Sequence, residues 1–370
     1  MTRRPTPERE VRLAATDLTV DVVINNYNYG TYLAAAIDSA LGQTHPDVRV
    51  IVVDDGSTDD SREILQRYEG KVEILLQENG GQAAALNAGM ELSRGDVVLF
   101  LDADDVLNPE AAAIVVAAFA ADPSLSKVQF RMQVIDAEGT PNGPLKPTQH
   151  VPLPNGDLIR AELAYPFDIA WLPTSGNAFS SEAVRRILPI PVHDYPVCGA
   201  DWYLIHLTTL LGRVSSLETV GACYRVHGAN NYEPATPRID LDQLRQTVYF
   251  ASITSQHLLE LAERLGLEHP RRILSIADLA NRMVSLRLDP EHHPIPTDTR
   301  TGLVIDAVRA ARRRDGVGMA MKTLFLAWFA AMAVAPRPPA RRMATRFIFP
   351  ARRSRFNRIL KRMHRPRQGP

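Results

Sequence analysis

Apolar residues in the first hundred positions come in short runs, and each run ends in a polar cluster. Val20 to Ile24, Val48 to Val53, Val72 to Leu76 and Val97 to Leu101 have the length and the β-branched or leucine-rich character of buried strands. Between them the period lengthens. Leu33, Ile37 and Leu41 recur at i, i+4 and i+8, and helical patterns run from Thr58 to about Tyr68 and from Gln82 to Leu92. Repeated strand–turn–helix units predict an α/β fold, a doubly wound and mostly parallel sheet flanked by helices, with right-handed crossovers. The turns after the strands of such a sheet share one rim, which is where ligands bind. That rim collects Asn25 to Tyr29, Asp54 to Ser57, Asn79 to Gln82 and Asp102 to Asp105.

The same patterning divides the rest of the chain. A helix is expected from about Pro109 to Ala121 and a strand from Lys127 to Ile135, while residues 139–170, rich in Pro and Gly, read as an irregular insertion. After a helix over Asp201 to Leu211 and a strand over Val214 to Val220, residues 241–265, 268–288 and 299–314 carry amphipathic helical periodicity interrupted by prolines. Val317 to Ala335 is apolar apart from Lys322 and Thr323, nineteen residues at the threshold length for a membrane span. The expected organisation is a mobile leader at 1–17, an α/β domain at 18–235 with halves 18–108 and 109–235, a helical appendage at 236–335 and a basic tail at 336–370.

With 370 residues, 45% hydrophobic and 23% charged, the chain has the composition of a soluble globular protein. Its formal net charge of zero conceals a division. No acid follows Asp315, whereas thirteen Lys and Arg do, so residues 1–315 hold 29 basic against 42 acidic groups, a net charge of −13. Arg312 to Arg314 before the apolar stretch and the arginine-rich tail after it fit two structures: a helix lying at an anionic membrane surface through Val317–Pro370, or a buried domain helix with a solvated basic end. Nucleic acid is not an expected partner, because no reading module accompanies the arginines. Two cysteines, Cys198 and Cys223, cannot form a disulfide framework, and the charged N-terminus lacks a signal-peptide core. Cytoplasmic residence is expected, with the inner face of the cytoplasmic membrane as the place of any peripheral contact.

The chemistry concentrates in GDVVLFLDADD, residues 95–105, where an apolar strand stops at Asp102, Asp104 and Asp105. Like charges crowded at a strand end cost free energy, and an oxygen-preferring cation such as Mg²⁺ or Mn²⁺ would offset that cost. Capping of the next helix by Asp105 or Asn108 is the alternative for part of the cluster. The first turn, INNYNYG, lacks the G-x-G-x-x-G pattern, and no Walker A loop is present, so neither ordinary dinucleotide binding nor a P-loop is expected.

Four segments in order, VVINNYNYGTYLAAAIDSALGQ, VIVVDDGSTDDS, ENGGQAAALNAG and GDVVLFLDADD, resemble the inverting nucleotide-sugar transferases of glycosyltransferase family 2, which have the GT-A fold. The resemblance covers roughly residues 20–230. It makes 18–108 the nucleotide-binding half and 109–235 the acceptor half. It implies that Asn25 and Tyr27 receive the nucleobase, that Asp55 accepts the N3–H of uracil or thymine, and that Gly80 and Gly81 let the backbone approach the diphosphate. Asp102-Ala103-Asp104 matches the family's D-x-D motif for Mn²⁺ or Mg²⁺, with Asp104 as the direct ligand and Asp102 also nearer the sugar or ribose. Asp201 matches the general base, and His227, in Y-R-x-H-x-x-N, a further metal ligand.

The implied reaction moves a sugar from a UDP- or dTDP-type donor to the hydroxyl of a saccharide or lipid-linked saccharide acceptor, in cell-surface polysaccharide or glycolipid synthesis. Two departures stand out. Relatives carry an acid where this chain has Ala200, and many have a basic residue where ENGGQAAALN has none. A catalytically silent nucleotide-sugar-binding protein of the same fold and a sugar-1-phosphate nucleotidyltransferase are the alternatives.

Overall fold

The four apolar runs are found as β1 (Val20–Asn26), β2 (Val48–Asp54), β3 (Glu73–Leu76) and β4 (Val97–Asp102); β1, β2 and β4 are largely buried, as unbroken apolar runs should be, whereas β3 is a partly exposed edge strand. They appear in a computed structural model that describes residues 17–228, 239–314 and 317–348. Nearly all of the expected leader, Asn230 of the histidine motif and the end of the basic tail lie outside the described residues. The intervening helices are α1 (Gly30–Leu41), α2 (Ser61–Gln66) and α3 (Gln82–Leu92). The chain continues through β5 (Val106–Leu107), α4 (Ala111–Ala121), β6 (Leu125–Ile135), β7 (Pro141–Lys146), α5 (Ile159–Ala164), β8 (Asn177–Ser180), α6 (Ser181–Arg185), α7 (Ala200–Thr208) and β9 (Arg213–Arg225).

The sheet runs β3-β2-β1-β4-β8-β6-β9-β5, with β7 beside β6. Strands β1 to β4 pair in parallel, β8 runs antiparallel between β4 and β6, and β9 is parallel to β6. This is the expected mostly parallel α/β sheet, to which the structure adds antiparallel pairs made by β5, β7 and β8. Val22, Ile24, Val52, Leu99 and Leu101 face a core shared with Leu33 and Ile37 of α1 and Val115 and Phe119 of α4. Leu41 departs from the expected stripe: it is 42% exposed at the last residue of α1. Helix α3 covers the other face at close range. A Cβ on Gly89 would stand 2.3 Å from Cγ1 of Val23, so only glycine admits that approach.

The chain divides into two compact units, residues 1–158 with 170–225 and residues 159–169 with 226–370. The stretch expected to be irregular is therefore partly regular. Residues 141–146 form β7, and 159–164 form α5, which belongs with the second unit. Asp168 accounts for that assignment. Its carboxylate accepts the N–H groups of Ile276 and Ala277, at 3.1 and 2.8 Å, and so caps the start of α9.

The second unit holds α8 (Leu241–Arg264), α9 (Ile276–Leu288), α10 (Arg300–Arg313), α11 (Met319–Val334) and α12 (Arg337–Ile348). Leu279, Met283, Leu303, Phe329, Met332, Ala340 and Ala344 form its core. One face of the apolar α11 is thus buried among helices, and Trp328 stacks on Phe347 at 4.3 Å. Among the described residues no helix is long and apolar enough to cross a membrane. The described start of the basic tail is helical: Ala340 and Ala344 give α12 a small apolar face while its arginines point outward.

Candidate active site

The rim follows from strand register. Asn25 of β1 lies beside Asp102 of β4, and Asn26 lies beside Asp54 of β2, so three strands deliver their polar ends together. Asn25 Nδ2 donates to Asp102 Oδ1 at 3.0 Å. The residue expected beside the nucleobase therefore serves the acid cluster. Ser175 Oγ accepts the Asp102 N–H at 3.1 Å. Burial, and then the charge of Asp104, push the Asp102 carboxyl up to about 7, against the hydrogen bonds from Asn25 and Thr174.

Asp105 is buried, and one of its oxygens accepts the Arg225 N–H at 2.9 Å. Burial first, then Asp104 and Asp102, raise its pKa well above the usual carboxylate range. It is no helix cap: α4 begins at Ala111, and Asn108 is tied instead to Val220 O at 2.8 Å. The Arg225 guanidinium donates to main-chain carbonyls. Its Nε donates to Asp104 O at 2.7 Å and its Nη1 to Ala137 O at 2.9 Å, so it clamps the acidic turn from β9. Tyr29 completes the surroundings. Its phenol is raised above its ordinary value by burial and then by Asp104, Asp102 and Asp105.

The second and third turns are tied to each other. Asp54 accepts from Asn26 Nδ2 at 2.8 Å and from the Ser57 N–H at 3.2 Å. Asp55 is 3% exposed and already receives three donors: Gln77 Nε2 at 2.7 Å and the N–H groups of Gly80 and Gly81 at 2.8 Å each. An acid expected to meet a nucleobase is therefore engaged in shaping the glycine turn. Gly81 itself has φ +82°, and a Cβ there would stand 2.0 Å from Pro196 O. The glycine admits the 196–197 segment, whose Val197 O accepts the Gln82 N–H at 3.2 Å. Tyr27 is 46% exposed on the same rim. At the ends of β2 and β3 an open cleft of about 480 Å³ is lined by Gly56, Arg62, Leu76, Gln77, Glu78 and Asn79.

Asp201 enters from α7. Gly199, left-handed at φ 87°, turns the chain into the helix, and Asp201 stands in its first turn with Oδ1 accepting the Trp202 N–H at 3.0 Å. Burial pushes its carboxyl up to about 6, with the Trp202 N–H and His206 opposing. Its charge acts on Asp102 across the rim, so these two expected residues are brought together.

Gln82 links Asp102 to the start of the helix that carries Asp201, and it is not among the expected site residues. Its Oε1 accepts the Ala200 N–H at 3.2 Å and its Nε2 reaches Asp102 Oδ1 at 3.5 Å. The available signal was its position directly after Gly81 on the rim. His227 falls in the second unit, two residues beyond the end of β9, and is half-buried. Among the described residues no three His, Cys, Asp or Glu side chains form a preformed metal cluster.

Comparison with known proteins agrees with this architecture. The chain is 34% identical over 253 residues to an uncharacterized glycosyltransferase of Nostoc sp., a match covering 67% of this chain and 77% of that protein. It is 38% identical over 123 residues to the chondroitin synthase of Escherichia coli, covering 32% of this chain but only 18% of the synthase. Among solved structures, S. aureus TarS 1-349 in complex with UDP-GlcNAc superposes with a TM-score of 0.53 over 90% of this chain and 92% of that one, at 17% identity, a likeness of fold. The family model described as Glycosyl transferase family 2 matches residues 21–180, and together with the Nostoc relative it identifies this chain as a glycosyltransferase of family 2 with a GT-A fold.

Proposed function

We propose that the enzyme transfers a sugar, with inversion, from a UDP- or dTDP-type nucleotide-diphosphate sugar to a hydroxyl of a saccharide or lipid-linked saccharide. The single observation that supports this best is the gathering of Asp102, Asp104 and Asp201 about one rim, with the Asp102 and Asp201 carboxyls pushed up to about 7 and 6. The likeness to a chondroitin synthase favours a role in cell-surface polysaccharide or glycolipid synthesis, and the TarS complex with UDP-GlcNAc favours a uridine donor.

Asp201 is the proposed base. A carboxylate whose pKa is about 6 is still largely ionised at neutral pH, and it takes a proton more readily than an ordinary Asp. It would receive the acceptor's hydroxyl proton as that oxygen bonds to the anomeric carbon. Asp102 and Asp104 fit Mn²⁺ or Mg²⁺: both are oxygen donors, and the cluster's mutual repulsion needs an opposite charge. When bound, the cation would supply positive charge for the departing diphosphate.

Only the sequence motif, not geometry, offers His227 as a further ligand. Tyr27 and the cleft beside Gly56 would take the nucleobase, with Leu76, half-exposed, as its apolar wall. Asp55 and Gly81 would contribute by fixing that loop. A place at the inner face of the cytoplasmic membrane would suit a lipid-linked acceptor. The decisive experiment is Asp201→Asn: transfer should be abolished while nucleoside-diphosphate binding with Mn²⁺ stays nearly unchanged. Unaltered turnover in that variant would sink the assignment of the base.

A further inference from the structure

A second concentration of like charge lies in the helical unit, where three arginines distant in sequence meet at the carboxyl end of α11. Arg287 of α9 donates through Nη2 to Ala335 O, and Arg300 of α10 donates through Nη1 to Ala333 O at 3.4 Å. Arg337 follows two residues later, at the start of α12. Capping of the last carbonyls of α11 accounts for one N–H of each of the first two residues and for part of their charge. It does not account for the rest.

A guanidinium has five N–H donors in a fixed fork, and Arg287 Nε is buried without a hydrogen-bond partner. Burial first, and then the charges of Arg300 and Arg337, hold the Arg287 pKa below the ordinary arginine value. Among the described residues no carboxylate pairs with any of the three, and none follows in the chain after Asp315. Two further cations beside an arginine whose own Nε is buried and idle suit an oxyanion, and planar forks match phosphate oxygens.

We propose that Arg287, Arg300 and Arg337 form a phosphate-binding site at the end of α11, for phosphate carried by an anionic lipid headgroup or by a free polyphosphate. The surroundings favour the lipid: Val334, in the last turn of α11, is 81% exposed, and Pro336, Pro338 and Pro339 are exposed beside the arginines. Apolar side chains flanking a phosphate-binding cluster suit the boundary between headgroups and acyl chains. The site is independent of the transfer reaction proposed above.

The full chain should be tested by sedimentation with phosphatidylglycerol–phosphatidylcholine vesicles and by calorimetry with inorganic pyrophosphate. The variants are Arg300→Gln/Arg337→Gln, which leaves the half-buried Arg287 in place, and Arg341→Gln/Arg346→Gln, which removes the same charge from exposed positions of α12. The first pair should weaken binding at least tenfold, and the second less than twofold. A selective loss with vesicles identifies a lipid phosphate, and a selective loss with pyrophosphate alone identifies a free one. Equal losses for both pairs would mean diffuse attraction by the basic tail and would overturn the site, as would no binding of either probe. Circular dichroism of each variant separates these outcomes from unfolding.

Discussion

Like charges are crowded at the end of β4 and again at the end of α11, and the two crowds are supported in opposite ways. Around the end of β4, Asn25 donates to Asp102 and the Arg225 N–H to Asp105, while the Trp202 N–H donates to Asp201 on α7. These donors fix the carboxylates without neutralising them, and the pKa values of Asp102 and Asp201 still rise because burial outweighs the bonds. At α11 two of the three arginines, Arg287 and Arg300, donate to helix carbonyls, which supply only the partial charge of a helix end. The first arrangement is rigid and aimed across a rim built by register. The second is a corner where three helices present charge outward. Rigid aim is what chemistry on one bond demands, whereas a surface that meets phosphate groups needs charge density more than aim.

The sharpest way to break this comparison is to remove an acid's charge and keep its shape. Asp102→Asn should lower kcat/KM by about a thousandfold, the order expected when a charge-stabilising group in a closed site is lost. The same change should raise the thermal midpoint at neutral pH, because an ionised carboxylate whose folded pKa lies above its unfolded value opposes folding. Activity and stability moving in opposite directions would mark the acids as functional strain. A fall in both would make them structural.

Next in size is Gly81→Ala. A side chain at φ +82° is strained, and its Cβ would meet Pro196 O at 2.0 Å, so the backbone of two segments must shift. A loss of about 3 kcal/mol is expected in urea denaturation. A loss under about 1 kcal/mol would mean that the rim is less rigid than the contacts require.

Much of the first unit was legible because its determinants are contiguous. Residues 97–101 are apolar throughout since both faces of β4 are covered, and Asp102, Asp104 and Asp105 announce the rim by standing next to one another. Asp55 and Gly81 were harder. One looks like a free acceptor and the other like a phosphate turn, and their actual partners are a neighbouring loop and Pro196, more than a hundred residues away. Asp168 likewise read as part of a loop, because the helix it caps begins at Ile276. The arginine corner was invisible for the same reason: positions 287, 300 and 337 have no local pattern that unites them. In the tail, the excess of arginine hid the Ala340 and Ala344 face that makes α12 a packed helix.

A smaller effect is expected from pH. With the Asp201 carboxyl at about 6, kcat/KM should fall roughly tenfold for each unit below that value, as the base becomes protonated. The stability term has the same origin. The folded state binds this proton more tightly than the unfolded chain, so the contribution favours folding below the usual Asp value and is lost as pH rises through about 6. A rate profile flat from pH 5 to pH 8, measured with saturating metal, would exclude Asp201 as the titrating base.

The smallest effect concerns Gln82, which touches both the Ala200 N–H at 3.2 Å and Asp102 at 3.5 Å. The second distance is at the limit of a hydrogen bond, so Gln82 is a positioning residue between the start of α7 and Asp102. Gln82→Leu removes both contacts at similar volume. It should lower kcat about fivefold with donor KM unchanged and stability reduced by about 1 kcal/mol, the usual net value of one hydrogen bond. The division between kcat and KM decides its role. If Gln82 merely supported the fold, the loss would appear in the thermal midpoint and leave the turnover of the folded enzyme unaltered. If it bound the donor, KM would rise instead. A fall in kcat alone would mean that α7, which carries the proposed base, and the D-x-D turn must keep their spacing for the acceptor hydroxyl to reach the sugar.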